Sequence, residues 1–116
     1  MSKKRAIIVD LDGTLANCDH RVKFLEQVPK DWDGFYSKLE DDLVNTWCLD
    51  IINAMNAQGV VTLIVTGRDE KYRNQSTSWL KKYEVRYEHM YMREHSNHID
   101  DSEVKRVIFE NLAKSI

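Results

Sequence analysis

The sequence predicts an α/β fold in which a parallel sheet carries helices on both faces. Two short runs rich in β-branched residues, 6–9 and 60–65, have the continuous apolar character of strands buried on both faces. Longer amphipathic stretches alternate with these runs, as helices alternate with parallel strands. Acidic or phosphate-binding residue types follow both runs directly. Because ligands of such sheets bind beyond the carboxyl ends of the strands, we expect the functional site at that edge.

The first half of the chain predicts a strand, an insertion and a helix. The strand Ala6–Val9 stops where the acidic residues begin. Residues 18–43 contain an amphipathic segment, a proline and then an aromatic stretch, which together favour a small helical cap inserted after the first strand. Such a cap would act as a lid over the site. Residues 47–57 have helical spacing, and Gly59 is suited to end that helix.

The second half of the chain continues the alternation. Residues 60–65 predict the second strand, and residues 70–83 predict a helix with its aromatic side chains partly on one face. Residues 85–92 predict a third strand. Residues 102–113 carry apolar side chains at helical spacing and predict a last helix. This order makes the sheet parallel, with right-handed crossovers.

Length and composition indicate one globular domain, residues 1–116, that includes the insertion. The chain is 42% hydrophobic and 31% charged, and no run reaches the roughly 18 apolar residues of a membrane span. The basic N-terminus leads into only a short apolar run, unlike a secretory signal. Cys18 and Cys48 are too few for a disulfide framework and lack zinc-ligand spacing. We therefore expect a cytoplasmic protein with no membrane partner.

The net charge of −2 argues against a protein that coats nucleic acid by neutralising phosphates. Recognition of a nucleic-acid end in a local pocket stays open. Trp32, Trp47 and Trp79 each lie in an amphipathic segment, which favours packing over stacking on bases.

The stretch Asp10-Leu11-Asp12-Gly13-Thr14-Leu15 carries most of the functional signal. A buried strand that ends in two acids must present them to a metal ion, a polar ligand or water, because buried unpaired charges are costly. Asp10 could attack phosphorus and hold a magnesium ion, while Asp12 could give and take a proton. The alternative is that Asp12-Gly13 forms only a tight turn.

Two further groups suit the same chemistry. Thr66-Gly67-Arg68 follows the second strand and brings a hydroxyl, a flexible backbone and a guanidinium to the same edge as the aspartates. These groups suit a phosphate, although a threonine cap and a glycine turn beside a solvated arginine would look the same in isolation. Lys105 lies on the last predicted helix, where a lysine is usually solvated.

The order of these motifs resembles the haloacid dehalogenase (HAD) superfamily of phosphatases, which has a Rossmann-like core. More narrowly, the chain resembles the 3′-phosphatase domain of phage-type polynucleotide kinase/phosphatase. The resemblance covers residues 6–112 and rests on the aspartate motif, on Arg21, on residues 65–68, and on Met92-Arg93-Glu94 leading to Lys105.

The resemblance implies an enzyme that hydrolyses phosphomonoesters. Asp10 is implied as the nucleophile that forms an aspartyl-phosphate, and Asp12 as the acid/base that protonates the leaving oxygen and then activates water. Both aspartates are implied as ligands of Mg²⁺. Lys105 is implied to hold the transferring phosphoryl oxygens. Phosphoryl transfer needs positioning and cations around the equatorial oxygens, which agrees with these roles.

The resemblance also implies the groups that bind the substrate, a phosphorylated molecule and in the narrower family a nucleic-acid 3′ end. Thr66 and Gly67 would lie at the phosphoryl group, and Arg21 and Arg68 would contact the substrate. A small-molecule phosphatase is the alternative within the same superfamily.

The sequence departs from the family at one motif. An acidic pair at the end of a further strand normally follows the lysine helix, and the pairs Asp41-Asp42 and Asp100-Asp101 do not follow an apolar strand. A catalytically incomplete domain that binds phosphate or a partner chain is therefore an alternative to an enzyme. The apparent lack of a C-terminal strand also predicts an exposed edge beside Ala6–Val9 through which the chain could self-associate.

Overall fold

The computed structural model describes residues 4–94 and Arg106. In chain order the elements are strand β1 (Ala6–Val9), strand β2 (Ala16–Asn17), a 3₁₀ helix (Asp19–Leu25), helix α1 (Trp32–Ser37), a 3₁₀ helix (Leu39–Asp41), strand β3 (Leu43–Val44), helix α2 (Thr46–Ala57), strand β4 (Val61–Asp69), a 3₁₀ helix (Glu70–Tyr72), helix α3 (Arg73–Lys82) and strand β5 (His89–Arg93).

The three longer strands form a parallel sheet in the order β1-β4-β5. Ala6 pairs with Val61 and Val9 with Ile64, so β1 runs along the first half of β4. On the other side of β4, Leu63 pairs with His89, and the register shifts between Val65 and Asp69. The predicted α/β fold with a parallel sheet is confirmed.

A short antiparallel pair of strands, one on each side of the insertion, was not predicted from the sequence. Ala16 pairs with Val44 and Asn17 with Leu43 in an antiparallel ladder between β2 and β3. The Asn45 backbone N–H donates to Leu15 O at 2.8 Å. The insertion, expected over residues 18–43, therefore leaves and returns to the core through one two-stranded stem. Two-residue strands are too short to show any hydrophobic period.

One hydrophobic cluster joins the sheet to α2 and α3. Its buried members are Val9, Leu11, Leu15, Ala16, Cys48, Ile52, Ile64, Trp79, Leu80, Val85, Met90 and Met92. Cys18 and Cys48 are buried free thiols, and burial raises the pKa of each. Through this cluster the turn after β1 packs against α2 and α3. This packing determines the position of the polar residues on the turn.

The last predicted helix, 102–113, lies outside the described residues, apart from Arg106, which is helical and exposed. None of the helices described is both long and apolar enough to cross a membrane.

Candidate active site

Asp10 and Asp12 lie where β1 runs into a tight turn. Asp10 follows the last residue of the strand, and its Oδ1 accepts the Leu11 backbone N–H at 2.8 Å. The Ala16 N–H donates to Leu11 O at 2.9 Å and closes the turn. Gly13 has a φ of 81°, a left-handed conformation that glycine adopts without steric cost. The turn places both carboxylates beyond the carboxyl end of β1.

Asp12 lies between two buried arginines. Arg21 Nη2 donates to Asp12 Oδ1 at 2.7 Å. Arg68 Nη2 donates to the same oxygen at 2.8 Å, and Arg68 Nε donates to Oδ2 at 3.2 Å. The Arg21 and Arg68 side chains are fully buried, whereas the Asp12 side chain keeps 21% of its surface exposed. The carboxylate therefore faces solvent on one side and two guanidinium groups on the other.

Asp42 is the second carboxylate of this cluster, and no pattern in the sequence predicted it here. Arg21 Nε donates to Asp42 Oδ1 at 2.7 Å, and Arg21 Nη2 donates to Oδ2 at 2.5 Å. Asp42 is fully buried. Its backbone carbonyl accepts the Trp79 indole N–H at 2.9 Å, which ties the end of the insertion to α3. Asp42 thus fixes the guanidinium of Arg21, and Arg21 in turn contacts Asp12.

The only local signal for Asp42 was the acidic pair Asp41-Asp42. A buried arginine requires a buried anion, but spacing along the chain does not show which of many acids supplies it. His20, half-exposed at the rim, lies 2.6 Å from Asp42 Oδ1 through its Nε2.

The two arginines control the ionisation of Asp12. Burial by itself raises the pKa of Asp12, but the hydrogen bond and charge of Arg68, together with those of Arg21, outweigh burial and hold that pKa below its usual value. Burial would lower the pKa of Arg21, and the hydrogen bonds and charges of Asp42 and Asp12 raise it instead. The network therefore keeps Asp12 ionised and Arg21 charged at neutral pH.

Residues 66–68 lie in β4 beside this cluster. Thr66 is buried, and its Oγ1 accepts the Arg68 backbone N–H at 3.2 Å. Gly67 O accepts Arg93 Nε at 3.0 Å. Arg68 Nη1 donates to Ser76 Oγ on α3 at 2.9 Å, which supports the guanidinium from behind. Ser76 is another member of the site that the sequence did not indicate.

The structure thus brings Asp12, Arg21 and Arg68 into direct contact and places Asp10 on the same turn. Lys105 lies outside the described residues. Within residues 4–94 and at Arg106, no three His, Cys, Asp or Glu side chains group as metal ligands. Arg21 and Arg68, which the resemblance implies as substrate contacts, both donate hydrogen bonds to Asp12.

The arrangement of the strands and the match to a family model together identify the family. The strand-end aspartates and the Arg68 strand end occupy adjacent parallel strands, β1 and β4. The family model of the polynucleotide kinase PNKP phosphatase domain matches residues 4–115, nearly the whole chain. The chain belongs to this family of phosphatase domains. It is accordingly a hydrolase domain of the HAD type.

Solved structures of this family have the same fold. A chain of a Pnkp1/Rnl/Hen1 complex is 28% identical, with a TM-score of 0.80 over 94% of this chain and 34% of that one. A chain of the Pnkp1/Rnl/Hen1 RNA repair complex is 27% identical, with a TM-score of 0.79 over 93% of this chain and 32% of that one. The present chain therefore spans about one third of the length of these relatives.

A more distant structure shares the fold alone. The class C acid phosphatase from Bacillus anthracis, with tungstate bound, is 19% identical, with a TM-score of 0.69 over 96% of this chain and 48% of that one. A search of curated protein sequences found no match.

Proposed function

We propose that this PNKP-type phosphatase domain is a magnesium-dependent phosphomonoesterase that removes the 3′-phosphate from nucleic-acid ends through an aspartyl-phosphate on Asp10. The observation that carries the proposal is the Asp12 carboxylate held between Arg21 and Arg68, two residues beyond the strand-end Asp10. Membership of the PNKP phosphatase family supports a polynucleotide substrate. The RNA repair complex that contains a similar chain supports it as well.

The first step is attack by Asp10. One carboxylate oxygen forms a bond to phosphorus as the bond between phosphorus and the 3′ oxygen breaks. The 3′ oxygen takes a proton from the protonated form of Asp12 and leaves as an alcohol. The phosphoryl group then resides on Asp10, and Asp12 is a carboxylate again.

The second step is hydrolysis. Asp12 removes a proton from water, and the water oxygen forms a bond to phosphorus as the bond to the Asp10 oxygen breaks. Inorganic phosphate leaves, Asp10 is regenerated as a carboxylate, and Asp12 again holds a proton. The low pKa of Asp12 keeps its carboxylate in the ionised form, which is the form that can accept this proton.

The first step needs the protonated form of Asp12. The two arginines explain how substrate binding can favour that form. A phosphate dianion that enters beside Arg21 and Arg68 competes for their hydrogen bonds, and its negative charge opposes ionisation of Asp12. Substrate binding thereby raises the pKa of Asp12 and favours the protonated acid. In this scheme both arginines contact the substrate phosphate, and Thr66 and Gly67 border it.

The donor set fits magnesium, which takes one or two protein carboxylates and completes its shell with phosphate oxygens and water. Asp10 and Asp12, both on the turn after β1, would hold the ion. When bound, magnesium would neutralise phosphate charge and so ease the approach of the anionic nucleophile. Lys105 remains a prediction for the same neutralising role. We also propose that residues 18–43 are the cap of a single domain and that β2 and β3 form its stem.

The test compares three substrates at equal concentration while magnesium is titrated: a 3′-phosphorylated oligonucleotide, the matching 5′-phosphorylated oligonucleotide and an aryl phosphate. We expect magnesium-dependent release of phosphate with a preference for the 3′ ester. Asp10→Asn should reduce turnover at least about 1,000-fold while the circular dichroism spectrum is unchanged, because an amide is a poor nucleophile. Phosphate binding without turnover would contradict an enzyme, and equal rates on the three substrates would contradict the 3′ specificity.

A further inference from the structure

A row of aromatic rings begins beside the Asp12 site and ends on the protein surface. On α1, the Trp32 and Tyr36 rings are stacked with centroids 6.1 Å apart and planes at 24°. Tyr36 continues to Tyr72, in the turn after β4, with centroids 4.9 Å apart. We call Trp32, Tyr36 and Tyr72 the aromatic row. It bridges the insertion and the segment that follows the catalytic strand end.

The aromatic row is joined to the catalytic cluster by Phe35. The Phe35 ring lies 4.3 Å from Arg21 Cζ, and its carbonyl accepts Arg21 Nη1 at 3.0 Å. Phe35 in turn contacts Tyr36, with ring centroids 5.1 Å apart. From Asp12, contact therefore passes through Arg21 and Phe35 to the aromatic row.

Trp32 is the solvent-exposed end of the row. Trp32 is 50% exposed, an unusual position for a large ring that packs against two others. Two lysines flank the row, because Lys30 Nζ lies 5.8 Å from the Trp32 ring centroid and Lys71 Nζ lies 5.2 Å from that of Tyr72. The exposed part of the Trp32 ring and the nearby Lys30 ammonium together suit a nucleobase and its neighbouring backbone phosphate.

Asp33 accepts two hydrogen bonds, which we call the polar latch, that hold the two halves of the row together. Asp33 Oδ1 accepts Lys71 Nζ at 3.2 Å and the Tyr72 hydroxyl at 3.1 Å. The latch joins α1 to the turn after β4, so the rings are positioned before any ligand arrives. Rigid positioning reduces the entropy lost on binding, which favours a binding role over simple surface exposure.

We infer that the aromatic row binds unpaired bases of the nucleic-acid strand that carries the phosphate, with a base stacked on Trp32. This inference rests on the proposed function for the identity of the ligand. The sequence favoured packing for the three tryptophans, and only Trp79 is fully buried; Trp47 is 57% exposed and lies on α2, which contributes no ring to the row. Stacking is tolerant of sequence, so the row would confer affinity for single strands without base preference.

The test measures binding of a single-stranded oligonucleotide ending in a 3′-hydroxyl, by titration of fluorescence anisotropy. The chain variants are Trp32→Ala, Trp32→Leu, which keeps apolar volume without a π face, and Trp32→Phe, which keeps the π face. Trp47→Ala is the matched control, since it also removes a half-exposed tryptophan. We expect Kd to rise about 10-fold for Trp32→Ala and Trp32→Leu, and to change little for Trp32→Phe and Trp47→Ala.

A second probe separates bases from backbone. An oligonucleotide of the same length with abasic sites in its last three nucleotides should bind the unmodified protein about 10-fold more weakly, and Trp32→Ala should not weaken it further. Equal losses for Trp32→Ala and Trp47→Ala, or a loss for Trp32→Ala that persists on the abasic strand, would overturn the aromatic row as a base-binding site.

Both probes report binding without hydrolysis. Base binding can therefore be found even if the 3′-phosphatase assay shows no activity, and the assay can show activity even if base binding is absent. An aromatic row that serves a protein partner would leave oligonucleotide affinity unchanged in every Trp32 variant, which would also overturn the inference.

Discussion

At the scale of single residues, the organisation of the site depends on an aspartate, Asp42, that is fully buried. Asp42 accepts hydrogen bonds from Nε and Nη2 of Arg21, and the same Nη2 also donates to Asp12. Buried ion pairs contribute little net stability, because desolvation offsets their attraction, but they specify one geometry. Here that geometry orients the guanidinium that controls the protonation of Asp12.

Asp42→Asn should therefore reduce both stability and catalysis. Removing the charge leaves Arg21 buried with one anionic partner fewer, at a cost of about 3 kcal/mol in the free energy of unfolding. Misplacement of Arg21 should reduce kcat/KM on the order of 10- to 100-fold at a temperature where the variant is folded. Urea unfolding and steady-state kinetics measure the two effects.

The neighbouring Asp41→Asn is the control. Asp41 is exposed, so its replacement should change stability by less than about 0.5 kcal/mol and leave kcat/KM unaffected. Equal effects of the two substitutions would mean that the buried network does not position Arg21.

The low pKa of Asp12 predicts how stability depends on pH. Since this pKa is lower in the folded protein than its usual value of 3.8, Asp12 contributes its full stabilisation above about pH 5. That contribution is lost as pH falls below 3.8 toward the pKa in the folded state. In urea titrations with EDTA between about pH 5 and 2, Asp12→Asn should show a shallower loss of unfolding free energy than the unmodified protein. Parallel curves would contradict the ionised, arginine-bound state of Asp12.

At the scale of elements, the turn after β1 carries Asp10 and Asp12, the proposed catalytic groups. Gly13 and Gly59 share a left-handed backbone, with φ of 81° and 79°, and a Cβ at either position would meet no atom within 4 Å. Gly13→Ala and Gly59→Ala should therefore each cost about 1–2 kcal/mol of stability through backbone strain alone. Only Gly13→Ala should also lower kcat, because it strains the turn that carries Asp10 and Asp12.

Comparing Gly13→Ala with Gly59→Ala separates a loss of stability from an effect of the turn after β1 on turnover. Gly59 lies between α2 and β4, at the opposite end of that strand from Arg68. A similar fall in kcat for Gly13→Ala and Gly59→Ala, measured at equal fractions folded, would show that the geometry of the first turn is unimportant for turnover.

The elements also show how far the sequence could predict this fold. The strand over Ala6–Val9 and the helix over 47–57 agree with β1 and α2 to within one residue, because a continuous apolar run and a helical apolar stripe are strong signals. The expectation that β1 is buried on both faces is wrong, since Ala6 and Ile8 are exposed. β4 extends to Asp69, beyond the predicted end at 65, because the strand continues through Thr66 and Gly67 with no apolar signal. The third strand begins at His89 rather than 85.

The site was predictable where residues are adjacent in sequence and not where they meet in space. Asp10, Asp12 and Arg68 follow the ends of strands, and such positions can be identified from the pattern alone. Asp42 and Ser76 reach the arginines through the stem of the insertion and through α3. Their partners depend on the packing of separate elements, which no local period encodes.

At the scale of the whole molecule, the edges of the sheet determine how the domain meets other chains. In the part of the chain that the structure describes, β1 pairs only with β4, which leaves its other side as a sheet edge. Ile8 in this strand is about half-exposed. An edge strand with exposed apolar side chains favours pairing with a second chain, and natural proteins commonly prevent such pairing with a charged residue.

Self-association through β1 should therefore increase with concentration and respond to a charge at this strand. Light scattering over a concentration series should show a mass that rises above 13.7 kDa, and hydrogen exchange at residues 7–9 should slow as the mass rises. Ile8→Lys should abolish the rise, because it places a charge on the strand that would pair. Ile51→Lys, at an equally exposed isoleucine on α2, is the control and should leave the association intact. A constant mass with slow exchange at every concentration would mean that β1 is already covered within a single chain, and that its edge is not an interface.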